Sequence, residues 1–319
     1  MTMQSRLLGK ASGGTRRVVL FIAFLLLLCI GISHAQEGRR GRHRGQREGR
    51  DRGNYGDTVY ATADDGTRLT WKVIPGAGPG PHPAVLVIHG GHFAATPVSP
   101  NTVRAARDAA AAGFNAFLVD YRLAGGEGLP GQKSNGQYPE QTNDLKQAVR
   151  TARAYSGGNG KVGAIGGSAG ASHVVYLAAT GSTGDDRVDA GVGFSGAYDL
   201  EGLLSSPRGA IRRKIENYVG SSNPEAVRKA SPLTYVDANV SPLFLVASDN
   251  ETMPPDQLPA LVRKLQAVGA KNFKQIFRTN SHRHAFSNWP VVEDQVLDFL
   301  KQTLGAPGGA ANPATSSSR

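Results

Sequence analysis

A set of short apolar runs without polar alternation most constrains what this chain can fold into: Ala84–Ile88, Ala116–Val119, Val162–Ile165, Ala190–Phe194 and Leu243–Ala247. A strand with one face in water alternates polar and apolar residues, whereas a strand covered on both faces has no reason to. Between the runs lie windows of helical periodicity over Thr102–Ala112, Pro139–Tyr155, Ala169–Ala179, Pro255–Val268 and Val291–Leu304, with Gly113 and Gly269 as stops. This alternation predicts an α/β domain over 55–304, with a mostly parallel central sheet and helices on both faces. Alternating segments around Thr58–Thr62 and Arg68–Val73, joined by Asp65-Gly66, predict an opening antiparallel hairpin. The stretch Tyr198–Ser241 is longer than an ordinary crossover and predicts a small helical insertion over the strand ends, where a lid would sit.

The 319-residue chain carries a formal charge of +11, which invites a nucleic-acid partner until the charge is divided by position. Residues 1–35 hold +4, residues 36–54 another +4, and everything after Asn54 only +3, so the folded body is nearly neutral and no specific nucleic-acid site is expected. Arg6, Lys10, Arg16 and Arg17 precede an apolar run from Val18 to Ile30 that ends in Ser33-His34-Ala35, the outline of a secretory signal peptide with cleavage before Gln36. The run is shorter than the ~20 residues a spanning helix needs; left uncleaved it would act as a membrane anchor. The protein is thus expected in the periplasm or outside the cell. Cys29 is the only cysteine and lies within this segment, so the mature chain would carry no disulfide and no cysteine-based metal site. The Arg/Gly-rich segment 36–54 has no apolar residue to bury and reads as a disordered linker, able to tether the protein to an anionic envelope surface. Residues 305–319 read as a second disordered segment, a C-terminal tail.

Gly166-Gly167-Ser168-Ala169-Gly170 fits G-x-S-x-G between a strand and a helix, the sharp turn that exposes a serine hydroxyl as a nucleophile. His89-Gly90-Gly91-His92-Phe93 follows the strand AVLVI directly. Glycine N–H groups there can approach a tetrahedral oxyanion, so Gly90 and Gly91, with the N–H of Ala169, are the expected oxyanion donors. A serine needs a histidine base held by a carboxylate, both later in the chain. His284 is the expected base, since His284-Ala285-Phe286 resembles the H-G-F step found after the last strand of such folds, with His282 as the alternative. The acid follows the strand PLFLVAS; Glu251 is expected, with Asp249 behind it and Asp256 third.

Taken together, these segments resemble the hormone-sensitive-lipase and feruloyl-esterase-like branch of the α/β hydrolases, over about Pro83 to Phe299. The resemblance rests on His89–Phe93 for H-G-G-G-F, Asp120-Tyr121-Arg122-Leu123 for D-Y-R-L, Tyr138-Pro139-Glu140-Gln141-Thr142-Asn143-Asp144 for Y-P-x-Q-x-x-D, and Gly166–Gly170 for G-G-S-A-G. Two positions depart from it: His92 stands at the third glycine, where it would narrow the acyl site or touch substrate, and the acid is Glu where the family usually has Asp. The resemblance implies an α/β-hydrolase fold and a carboxylesterase that uses an acyl-serine intermediate and no metal or organic cofactor, and the signal segment makes it an exported one. Its substrates would be small-molecule or polysaccharide-linked esters, and Arg122 and Asp144 would be bracing rather than catalytic. An amidase or formamidase would use the same triad, and a non-catalytic envelope-binding protein would keep the same fold. The insertion and the loop Ala124–Gln137 are expected to shape the pocket.

Overall fold

The computed structural model describes residues 55–306 except Val98, Gly126, Glu127 and Arg208. The signal-peptide and linker readings, and the tail beyond Ala306, fall outside the described residues. Gly305 and Ala306 belong with the domain rather than with a tail: Gly305 closes the last helix at φ 71° and Ala306 is buried.

Eight strands, β1 (Thr58–Thr62), β2 (Arg68–Ile74), β3 (His82–Ile88), β4 (Asn115–Val119), β5 (Gly158–Gly167), β6 (Ala190–Phe194), β7 (Leu243–Ser248) and β8 (Phe273–Arg278), form one sheet in the order β1-β2-β4-β3-β5-β6-β7-β8. The pairs β1/β2 and β2/β4 are antiparallel and every later pair is parallel. The apolar runs are the strands covered on both faces, and β3, β4, β6 and β7 are buried along their whole length. Helices α2 (Glu140–Arg153), α3 (Ala169–Ala179) and α7 (Gln257–Ala267) pack on one face around Leu86, Phe117, Val174, Leu245 and Leu261. On the other face, α1 (Pro100–Ala111) and α8 (Trp289–Leu304) pack around Val87, Leu118, Ile165, Val192 and Trp289. The predicted insertion holds three short helices, α4 (Leu200–Leu204), α5 (Gly209–Val219) and α6 (Pro224–Ala230), with a small core of their own against Phe93 and Ala169.

This winding dictates where a site can form. From β3 the chain leaves to α1 on one face, and from the adjacent β5 to α3 on the other. The carboxyl ends of neighbouring strands whose connections diverge leave a crevice between them, the position ligands occupy in open α/β sheets. Here the residues at that crevice are His89–Phe93 after β3 and Ser168 after β5.

The Asp120–Leu123 segment, at the end of β4, braces this edge. Asp120 is fully buried and accepts hydrogen bonds from the N–H groups of Tyr55 and Gly56 and from the Thr70 hydroxyl, at 3.1–3.2 Å. Burial nevertheless pushes its carboxyl up to about 6. The Tyr121 hydroxyl donates to the carbonyl of His89 at 2.9 Å. Arg122 grips Asp144 of α2 through Nε and Nη2, and reaches Asp64 in the β1–β2 turn through Nη1. Arg122 and Asp144 are each only 2% exposed, so neither charge can turn to water if its partner is lost. If Asp144 is lost Arg122 keeps Asp64, Asp65 and Glu140 within reach, whereas among the described residues Asp144 pairs with no cation but Arg122, so removing the arginine leaves a buried, uncompensated carboxylate at a cost of about 3–5 kcal/mol. Arg122→Ala is therefore expected to lower the stability by about that much in urea unfolding, whereas Arg212→Ala, whose partner Glu216 sits on the surface of α5, should leave the midpoint within scatter.

Candidate active site

Ser168 sits where β5 turns into α3 with no intervening loop, at φ 56° and ψ −120°. A non-glycine residue held there costs of order 1–3 kcal/mol, which the surrounding structure must impose. Two glycines make the turn possible: a Cβ on Gly166 would lie 2.3 Å from the Gly170 carbonyl oxygen, and one on Gly170 would lie 2.2 Å from that of Ile88. The Ser168 N–H donates to the carbonyl of Phe194 at the end of β6, at 2.8 Å. Among the described residues six non-glycines have positive φ: His92, Phe93, Ser168, Ser195, Asn280 and Ala285. All six lie past the carboxyl ends of β3, β5, β6 and β8, so backbone strain is gathered along the edge that holds the site.

The structure brings Ser168, His284 and Glu251 together. His284, from the loop after β8, lines the same cavity as Ser168, and its Nδ1–H donates to Glu251 Oε2 at 2.5 Å. Glu251 follows β7; its side chain is 1% exposed, and its other oxygen accepts the N–H of Ser248 at 2.9 Å. A proton committed to Nδ1 leaves Nε2 as the free base of the imidazole. The other candidates are placed elsewhere. Asp249 lies at the surface and accepts the N–H groups of Asn280 and Ser281 at 2.8 and 3.0 Å, with the Ser281 bond first in holding its carboxyl below the usual range. Exposed His282 is bonded through Nδ1 to the carbonyl of Asn250, tying the two loops together. Asp256 is exposed and lines a neighbouring hollow with Gly202 and Pro254.

The loop after β3 lies against the serine, since a Cβ on Gly90 would stand 3.0 Å from that of Ser168. Ala169 is the first residue of α3, so its N–H has no partner within the helix and lies at the positive end of the helix dipole. His89 aims the loop: its Nδ1–H donates to the Gly90 carbonyl at 2.7 Å while its ring is stacked between Tyr55 and Tyr121. A planar trans peptide points its N–H opposite its C=O, so holding the Gly90 carbonyl fixes the direction of the Gly91 N–H. The Phe93 carbonyl accepts from Gln141 Nε2 at 2.8 Å and from the Ala124 N–H at 2.7 Å. Gln141 in turn accepts at Oε1 from Nε2–H of the buried His173, at 3.1 Å. Burial holds both imidazoles neutral, with His89 pulled down to about 4 and His173, also repelled by His89, to about 3.

The cavity has a volume of about 170 Å³. Ser168, Ala169, His284, His92 and Phe93 form its floor, and Leu203, Ile211, Lys214, Ile215, Thr252 and Met253 the walls. The insertion shapes it as expected. The loop Ala124–Gln137 does not: none of its described residues lines the cavity, and it instead receives the Asn217 side chain of α5 on the Ala124 carbonyl. Sequence reasoning passed over Gln141, His173, Lys214 and Met253. The signal for Gln141 lay inside the Y-P-x-Q-x-x-D segment, and that for Lys214 in the helical spacing Ile211-Lys214-Ile215-Tyr218.

With the geometry in place, the comparisons with known proteins are consistent. The BD-FAE family model matches residues 73–265. Esterase LipQ of Mycobacterium tuberculosis is 28% identical over 197 residues, covering 54% of this chain and 46% of that protein, so the chain spans under half the length of this relative. Among solved structures, Thermogutta terrifontis esterase 2 phosphonylated by sarin superposes with a TM-score of 0.64 at 19% identity, over 82% of this chain and 99% of that one. A truncated carbohydrate esterase from gut microbiota gives 0.63 at 18% identity, over 78% and 95%. At these identities the superpositions show the fold, that of the α/β hydrolases.

The two neutral histidines give the fold a defined acid response. In the unfolded chain each titrates near 6.5, whereas folded they stay uncharged to about 4 and about 3. The unfolded state therefore binds more protons as pH falls below 6.5, and stability is lost by about 1.4 kcal/mol per pH unit for each group until its folded pKa is reached. His173→Gln should make the decline in urea-unfolding stability between pH 6.5 and pH 4 shallower by about that slope; a decline parallel to that of the wild type would place the acid sensitivity elsewhere.

Proposed function

The chain belongs to the BD-FAE family, and we propose that it is a serine hydrolase that cleaves carboxylic esters through an acyl-Ser168 intermediate. The observation that carries this reading is the short bond from His284 to the buried Glu251, with His284 sharing a cavity with a serine held in a strained turn. His284 Nε2 would take the proton from Ser168 as Oγ attacks the ester carbonyl. The negative charge on the tetrahedral oxygen would be met by N–H groups of Gly90, Gly91 and Ala169, fixed before the reaction begins. His284 would then pass its proton to the departing alcohol. A water activated by the same imidazole would release the acid and restore Ser168. Glu251 keeps Nδ1 protonated and stabilises the imidazolium without itself taking up the proton.

A dry cavity of about 150 Å³ holds a benzene molecule, so the space of about 170 Å³ beside Ser168 suits a short chain or a single ring on the ester. Likeness to a carbohydrate esterase supports a carbohydrate-linked ester as the natural substrate, and the signal-like segment before Gln36 supports an exported enzyme.

Sarin phosphonylates the Thermogutta neighbour, and a fluorophosphonate probe of the same reactive type should label this protein. Labelling and p-nitrophenyl acetate turnover should both vanish in Ser168→Ala. Glu251→Gln is expected to lower kcat on the order of 10³- to 10⁴-fold, as loss of a triad carboxylate does, while Asp249→Asn should not; the reverse pattern would move the acid to Asp249. Unlabelled wild-type protein would overturn the hydrolase reading. Mass spectrometry of the exported protein should find an N-terminus at Gln36, and an intact Met1 would make the segment an anchor.

A further inference from the structure

Helix α5 presents Ile211, Lys214, Ile215 and Tyr218 at the i, i+3, i+4, i+7 spacing of a single face. That face is turned inward: Ile215 and Tyr218 are buried, and the Tyr218 ring lies flat on Phe93 with centroids 4.0 Å apart. Phe93 belongs to the loop beside Ser168, so the helix is seated on the floor of the site. Ile211, Lys214 and Ile215 line the cavity together with Ser168 and His284. A lysine thus interrupts an apolar stripe at a position facing the reacting groups, whereas Arg212 on the outer surface of the helix is paired with Glu216.

Among the described residues no carboxylate forms an ion pair with Lys214, and no Asp or Glu lines the cavity. Glu251, the acid beside His284, is committed to that imidazole and to the Ser248 N–H. Burial pulls the Lys214 ammonium below its ordinary value, with no acidic neighbour to offset it. His92, on the floor of the same cavity, is held below the usual imidazole range, by burial first and then by the Lys214 ammonium. The cavity lining therefore offers a half-buried ammonium together with an imidazole, a pair suited to an anion. A partly desolvated cation gains most from a partner that arrives with the opposite charge.

We propose that Lys214 is a specificity residue that selects esters bearing a carboxylate within a few bonds of the scissile carbonyl. The proposal rests on the hydrolase reading above and names the substrate class of the same site. The carboxylate can belong to the acyl half, as in a hemiester of a dicarboxylic acid, or to the alcohol half, as in an ester of a hydroxy acid. Either would bring its charge to the Nζ of Lys214 while its carbonyl rests at Ser168. In a cavity of about 170 Å³, a methyl or methylene in the same place would leave the ammonium unpaired.

The test compares kcat/KM by titration of released acid for two matched pairs, methyl butyrate against monomethyl succinate and propyl acetate against acetoxyacetate. Wild type is expected to favour the anionic member of one pair by about tenfold or more, the scale of one charge-assisted hydrogen bond. The pair that shows the preference identifies the half of the ester that carries the charge. Lys214→Gln should abolish the preference and Lys214→Arg should keep most of it, with fluorophosphonate labelling of Ser168 reporting in each variant that the site is folded. Wild type that labels at Ser168 but shows no anionic preference in either pair overturns the inference alone, as does a preference that survives Lys214→Gln. Wild type that neither labels nor turns over any of the four esters overturns the hydrolase reading, and the inference with it.

Discussion

The turn at Ser168 is the constraint on which the rest depends. It converts β5 into α3 within one residue, so the strand's central place in the sheet and the helix's place on one face are fixed together. Because Gly170 passes within contact of the Ile88 carbonyl, β3 is held against the same turn, and the loop that follows β3 has nowhere to go but beside the serine. Strand order and site geometry are thus a single packing problem. The energy stored in the backbone of Ser168 is borne by the sheet, whose buried parallel strands cannot relax without exposing apolar surface.

Behind that turn the polar groups are sorted by charge. An ion pair buried on both sides, Arg122 with Asp144, lies near the start of α2, away from the cavity lining, where it locks elements in place. Next to the loop after β3 the buried groups are neutral: His89, His173 and Gln141 hold carbonyl oxygens at Gly90 and Phe93 without adding charge. A charged brace in that position would compete with any anion forming at Ser168, since fields in a poorly solvated region are weakly screened. Neutral hydrogen bonds fix direction alone, which is what an array of N–H donors requires.

Much of this was legible in the chain because local rules agreed with the tertiary result. Every strand buried along its whole length contained an uninterrupted apolar run, and the helix Ala169–Ala179 was bounded as read, its start fixed by the close approaches at Gly166 and Gly170. Other features were not legible, for reasons that are physical. Sheet order depends on which face each crossover takes, and no local signal records that. The placements of Glu251 and Asp249 differ by two residues in a loop: the Ser248 N–H captures Glu251, which bonds His284, while the N–H groups of Asn280 and Ser281 capture Asp249. Gln141 looked like part of a helix start because its partners, Phe93 and His173, are 48 and 32 residues away. The loop Ala124–Gln137 looked like a pocket wall because it is long and polar, yet it serves as a strut for α5.

That strut has a consequence for how specificity is held. The inner walls of the cavity come from two sources, the insertion and the turn after β7. The turn also carries Glu251 and so cannot move freely. The insertion is bound by different terms: it has its own apolar core, with Phe93 and Ala169 as its footing, and side-chain bonds from Asn217 to Ala124 and Gln137 to Asn217 fasten α5 to the loop beside it. Changes at Ile211, Lys214 or Leu203 therefore alter what fits beside Ser168 without touching the strained turn, the imidazole or its carboxylate. The groups that would perform the chemistry are set by the sheet edge, and the groups that choose the ester by a separately packed cap.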